Sequence, residues 1–169
     1  MIELTFEVQQ YIHRELRPHQ EATLNQLRDS QGPHVVMEAP TGSGKTFHPA
    51  QLAYEGQKVL TLVRTKSLQG QYTESPYNAK KVTGKANHPC HYGMVPDASL
   101  CKMSTQERQE SGCLDQCPYY VSCREFWDSN LGSLNYAKYL LETRPNGIVP
   151  TFNPEILFLD EAHQLSDLV

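Results

Sequence analysis

The chain has no long apolar run. No stretch approaches the length of a membrane-spanning helix, and the opening Met1 to Gln10 is already interrupted by Glu3 and Glu7. Neither a signal peptide nor an anchor is read there, so no membrane partner is expected and the default compartment is the cytoplasm, or the nucleoid or nucleus. Positive charge is not in excess: 15 Lys and Arg against 19 Asp and Glu leave a net charge of −4. A nucleic-acid partner therefore needs a local basic patch, not a polycationic chain. Cysteine is absent outside one window, which holds Cys90, Cys101, Cys113, Cys117 and Cys123. A disulfide framework does not suit a reducing compartment, whereas clustered thiols there commonly hold a metal. Internal repeats and low-complexity tracts are also lacking. With 169 residues and 38% hydrophobic content, the chain suits one globular domain carrying a small insertion.

The most informative stretch is Ala39-Pro40-Thr41-Gly42-Ser43-Gly44-Lys45-Thr46. It reads as a phosphate-binding loop. An apolar run, Val35-Val36-Met37, precedes it and predicts a short buried strand, and Phe47 to Gln57 has helical composition. Strand, glycine-rich turn and helix in that order are the context this motif needs. Gly42 and Gly44 let successive backbone N–H groups turn inward around an anion. Together with Thr41 and Ser43 they line the phosphate seat, at the positive end of the following helix. Lys45 reaches the β- and γ-phosphates of a nucleotide, and the Thr46 hydroxyl is a Mg²⁺ ligand. Ala39 stands where the strict pattern has Gly, and Pro49 falls in the first helical turn.

Other segments frame this loop. Phe6 to Leu16 has helical spacing. A second helix starts at Arg17-Pro18-His19-Gln20, with Ala22, Leu24 and Leu27 expected inward, and ends at Gly32-Pro33. Lys58 to Val63 predicts a buried strand, and Arg64 to Tyr72 a loop entering a helix. From Lys58 to Lys85 there are six basic residues (Lys58, Arg64, Lys66, Lys80, Lys81 and Lys85) against the single acid Glu74. They either track a phosphate backbone or form a solvated charged face. Residues 84–118 are punctuated by Gly and Pro and have little core of their own; a metal supplies stability to such a stretch. Helices follow from Pro118 to about Asn130 and from Leu134 to Glu142, then a turn-rich stretch, Arg144 to Pro154. Ile156-Leu157-Phe158-Leu159 predicts a third buried strand, ending in Asp160-Glu161-Ala162-His163.

Four apolar residues followed by Asp-Glu have the form of a Walker B site. Ligands of open α/β sheets bind outside the carboxyl ends of the strands. Asp160 there holds Mg²⁺, and Glu161 orients or deprotonates the attacking water. With the upstream loop, this favours a nucleotide hydrolase over a binding scaffold.

Taken together, the motifs resemble the first half of the first motor domain of a superfamily 2 DEAH-box helicase of the iron–sulfur, XPD/DinG type. The matching pieces run in family order: Arg17 to Gln20, Ala39 to Thr46, Thr65 to Gln71, Gly84 to Cys90, Cys117 to Tyr120, Asn135 to Leu140, and Asp160 to His163. The resemblance implies a partial RecA-like P-loop NTPase domain with a parallel sheet. It divides the chain into an N-terminal part of the motor domain at 1–83, an iron–sulfur insertion at 84–125, and a continuation ending at the DEAH box at 126–169. It implies an ATP-dependent DNA helicase that translocates 5′ to 3′ on single-stranded or forked DNA. Arg17 and Gln20 would contact the nucleotide base, Thr65 to Gln71 the DNA backbone, and His163 would couple nucleotide state to a second RecA-like domain, in the same or another chain. That domain carries the arginine finger, so a chain ending shortly after His163 is expected to be a fragment, a truncation or one piece of a split enzyme. The competing reading is a non-catalytic, metal-stabilised nucleic-acid-binding or adaptor protein derived from a helicase; a P-loop kinase with a zinc insertion fits the DEAH box and Thr65 to Gln71 poorly.

The resemblance also implies four cysteines around a 4Fe–4S cluster, with Cys90 first and Cys117 last, and Cys101 and Cys113 between them. The residues themselves fit Cys123 better as a small core residue than as a ligand: on a helix from Pro118 it shares an apolar face with Tyr119, Tyr120, Phe126 and Trp127. Cys117 falls at that helix's N-cap, where the dipole favours a thiolate. Zinc remains the alternative metal, with His88 and His91 as further donors. Its sites usually pair close cysteines, and only Cys113 and Cys117 are so spaced.

Overall fold

The computed structural model describes residues 16–30, 32, 34–40, 42–74, 76–145 and 147–162. At its centre is a parallel four-stranded sheet in the order β2-β3-β1-β4. Its strands are β1 (Val59–Val63), β2 (Lys80–Lys81), β3 (Leu131–Asn135) and β4 (Ile156–Leu159). Parallel neighbours need long crossovers, and helices supply them. In chain order these are α1 (Pro18–Asp29), α2 (Phe47–Tyr54), α3 (Lys66–Thr73), α4 (Thr105–Glu110), α5 (Cys113–Gln116), α6 (Pro118–Asp128), α7 (Tyr136–Glu142) and α8 (Ile148–Phe152).

All five residues of β1 are buried, as expected of a strand covered on both faces. Val59 and Val63 pack with Leu24 of α1, Phe47 and Leu52 of α2, and Tyr72 of α3. Leu60 and Leu62 face the other way, toward Phe126 of α6, Leu134 of β3 and Phe152 of α8. The alternation of side chains along a strand thus builds two cores from one VLTLV run. Register aligns the strand ends: Val63 pairs with Asn135, and Leu62 with Leu159. Residues 64–66, 135–136 and 160–161 therefore leave the sheet at one edge.

Local chemistry explains the helix starts. The Thr65 hydroxyl accepts from the Leu68 N–H at 3.2 Å and caps α3, and Asn135 caps α7 by accepting from the Lys138 N–H at 2.8 Å. Each such cap stabilises by about 1 kcal/mol. Pro49 is the third residue of α2, where a helix has no intrahelical partner for the missing N–H, so it does no harm.

Several expectations are corrected. Residues 35–37 form no strand, and Val36 is 95% exposed. Among the described residues no strand lies beside them, so their backbone has no ladder to join. The central strand β3 occupies residues given no element or assigned to a helix, because Leu-Gly-Ser-Leu-Asn has neither an apolar run nor clean alternation. Its burial comes from neighbours on both sides. Within the turn-rich stretch lies α8, buried through Ile148, Val149 and Phe152. β4 is not fully buried: Leu157 and Leu159 are 40% and 43% exposed, because it is the last strand in the order. In α1, Leu24 is buried and Leu27 partly so, but Ala22 is exposed. The helix expected over Phe6 to Leu16 lies almost wholly outside the described residues.

Candidate functional site

The loop before α2 turns on two glycines in the left-handed region, Gly42 at φ 81° and Gly44 at φ 91°. Its chain is folded tightly on itself: the Ser43 N–H donates to the Pro40 carbonyl at 3.2 Å, and the Lys45 ammonium donates to the Ala39 carbonyl at 3.2 Å. Two side chains of α1 rest on it. The Gln20 amide donates to the Ser43 carbonyl at 3.3 Å, and the His19 Nε2 lies 3.1 Å from the same oxygen. Gln20 Oε1 also accepts from the Arg17 N–H at 3.2 Å, which ties the start of α1 to the loop. Behind the loop, burial holds the His48 imidazole below its ordinary pKa, and its Nδ1 lies 3.2 Å from the Lys45 carbonyl.

Asp160 follows β4 at the carboxyl edge of the sheet, its N–H donating to the Leu62 carbonyl at 2.9 Å. Two phenols reach it. The Tyr72 hydroxyl donates to Asp160 Oδ2 at 3.0 Å, and the Tyr136 hydroxyl donates to the Asp160 carbonyl at 2.8 Å. The Thr46 side chain, from the last residue of the glycine loop, lies near the same phenol. Burial, then the Asp160 charge, push the Tyr72 hydroxyl far above its ordinary pKa. It is a permanent donor. Glu161 has φ 56°, a left-handed conformation uncommon for its type and frequent at functional sites. Sequence reasoning missed both tyrosines. The signal for them is topological: each lies on the helix that follows a strand parallel to β4. Thr41 and His163 lie outside the described residues.

The basic residues of 58–85 do not share one surface. The Lys58 ammonium donates to the Trp127 carbonyl at 2.7 Å, and Lys80 pairs with Glu125 at 3.3 Å. Lys85 lies over the Tyr119 ring. Gln69, within the stretch expected on a DNA backbone, is buried and donates to the Ser133 carbonyl at 2.7 Å, whereas Lys66, Ser67 and Gln71 are exposed.

Cys101, Cys113 and Cys117 line one small pocket with Lys85, Arg108 and Tyr120. Burial, then the charges of Cys117, Cys101 and Cys90, push the Cys113 thiol up. Cys90 differs: the Val95 N–H leads a group of backbone donors that holds its thiol low. Cys123 is buried beside Tyr119, within the electrostatic influence of Lys138 and Glu142. Among the described residues, no three His, Cys, Asp or Glu side chains are drawn tightly enough together to hold a single ion. Nor is any described helix long and apolar enough to cross a membrane.

A parallel α/β sheet, a glycine loop ahead of a helix and an acidic residue leaving the sheet's carboxyl edge are consistent with a partial RecA-like fold. The chain matches the DEAD/DEAH box helicase model over residues 17–168, and it belongs to that family. No curated protein and no solved structure is significantly similar to it. Membership makes it a helicase-type, nucleic-acid-dependent ATPase domain that uses ATP and Mg²⁺.

Proposed function

We propose that the chain is the nucleotide-binding part of an iron–sulfur DEAH-box DNA helicase that moves 5′ to 3′ on single strands. The observation that carries the nucleotide chemistry is Asp160 at the carboxyl edge of the sheet, its carboxylate held by the Tyr72 hydroxyl at 3.0 Å, in a chain that matches the helicase family over the glycine loop as well. Bound magnesium triphosphate supplies the scissile phosphoanhydride and the charge that must be neutralised. Lys45 leaves the Ala39 carbonyl to bind the β- and γ-phosphates, and the Gly42, Ser43 and Gly44 backbone and Thr41 surround them. Thr46 and Asp160 would hold the magnesium, which would neutralise phosphate charge. Glu161 orients the attacking water and takes its proton. Arg17 and Gln20 stand at the base, and His163 couples the site to a second RecA-like domain, whose arginine finger is worth about 10³–10⁵ in rate. Single-stranded or forked DNA is the partner.

Within the insertion at 84–125, Cys90, Cys101, Cys113 and Cys117 hold a 4Fe–4S cluster that staples a segment with little core. What supports this reading is that Cys101, Cys113 and Cys117 line one small pocket, while Cys123 is buried in the core. Zinc is the alternative metal. Anaerobically purified protein is expected to be brown, with about four irons per chain; a colourless protein with one zinc would refute the cluster. The nucleotide reading is tested by Mg²⁺-dependent ATP binding and DNA-stimulated hydrolysis, with Lys45→Ala as control. Binding that survives Lys45→Ala undiminished would sink it.

A further inference from the structure

Tyr72 belongs to no motif in the chain's phosphate or acidic signatures, yet its hydroxyl holds the first residue of the acidic one. Deeply buried on α3, it donates to one carboxylate oxygen of Asp160 at 3.0 Å, with the Thr46 side chain nearby. Tyr136, from α7, holds the backbone of the same aspartate at 2.8 Å. One phenol thus sets the carboxylate and the other its backbone. A carboxylate that binds a metal with one oxygen is commonly oriented by a hydrogen bond to the other, and losing such a partner typically costs about 10–100-fold in metal affinity.

We propose that Tyr72 is a positioning residue for magnesium: it holds Asp160 Oδ2, so that Oδ1 of Asp160 is turned to the ion. This rests on the reading of Thr46 and Asp160 as the magnesium ligands. Tyr72 touches neither the ion nor the reacting atoms. It acts through Asp160.

The test uses the full chain and a fluorescent, non-hydrolysable ATP analogue, titrated with Mg²⁺ and also measured in EDTA. Tyr72→Phe removes one oxygen and leaves the buried ring. The expected result is a rise of about 10–100-fold in the Mg²⁺ needed for half-maximal binding, with binding in EDTA unchanged. In an Asp160→Asn background, Tyr72→Phe is expected to add nothing further, which a purely structural role would not produce. An unchanged Mg²⁺ midpoint overturns the proposal and leaves the nucleotide reading intact. Loss of binding in EDTA as well makes Tyr72 a core residue and also overturns it. If the unaltered chain binds the analogue without regard to Mg²⁺ or Asp160, the underlying ligand assignment fails and the proposal falls with it.

Discussion

A β-carbon on Gly44 would lie 2.2 Å from the amide nitrogen of Gln20. The glycine loop and the side chain from α1 are therefore in direct contact, and the loop's shape is readable at the start of α1.

This contact predicts different behaviour for the two loop glycines. Gly42→Ala meets nothing within 4 Å and suffers only from its positive φ, which costs about 1–2 kcal/mol. Gly44→Ala pays that strain and must also displace Gln20. ATP affinity is expected to fall in both and further in Gly44→Ala. In a Gln20→Ala background the two should become alike. Equal losses in the unaltered background would show that the contact does not matter.

Gly132 in β3 is a site of pure packing. A β-carbon there would come within 2.7 Å of the Phe126 ring and 3.2 Å of the Phe152 ring, which stack with centroids 4.6 Å apart. Overfilling a well-packed core costs about 1–3 kcal/mol. In urea denaturation Gly132→Ala should lose stability accordingly, and Phe126→Ala should lose more, about 3–5 kcal/mol. A Gly132→Ala protein as stable as the parent would mean the rings have room to move.

Glu142 couples stability to pH. Burial opposes its charge, but the Lys138 ammonium at 2.6 Å and the Ile148 N–H at 3.1 Å hold its carboxyl below the ordinary 4.5. Because the folded value is depressed, the contribution is complete above pH 4.5 and is lost as pH falls through the folded value. Glu142→Gln is expected to cost about 1–2 kcal/mol at neutral pH. The gap to the parent protein should close in denaturation curves recorded below pH 4.5. A gap that stays constant down to strongly acidic solution would rule this coupling out.

The cysteines should separate cleanly. Alanine at Cys90, Cys101, Cys113 or Cys117 is expected to abolish iron content and visible absorbance. Cys123→Ala, in the buried cluster with Tyr119 and Phe126, should keep both and lose only about 1 kcal/mol of stability. Iron lost from Cys123→Ala and kept in Cys101→Ala would reverse the assignment.

The residues alone were enough to locate the glycine loop, the acidic strand end, and strands β1 and β4. Each of these is a local signal: special backbone angles, a run of apolar residues, or a chemistry carried by consecutive side chains. The core position of Cys123 was legible for the same reason, since a helix of known start places its own faces. Tertiary structure decided the rest. Leu-Gly-Ser-Leu-Asn becomes the central strand only because β1 and β2 satisfy its backbone on both sides and Phe126 covers its glycine. Val35 and Val36 stay in solvent because an apolar run needs a ladder to be a strand. Tyr72 and Asp160 stand 88 residues apart in the chain, and only the parallel register of β1 and β4 brings them to one hydrogen bond.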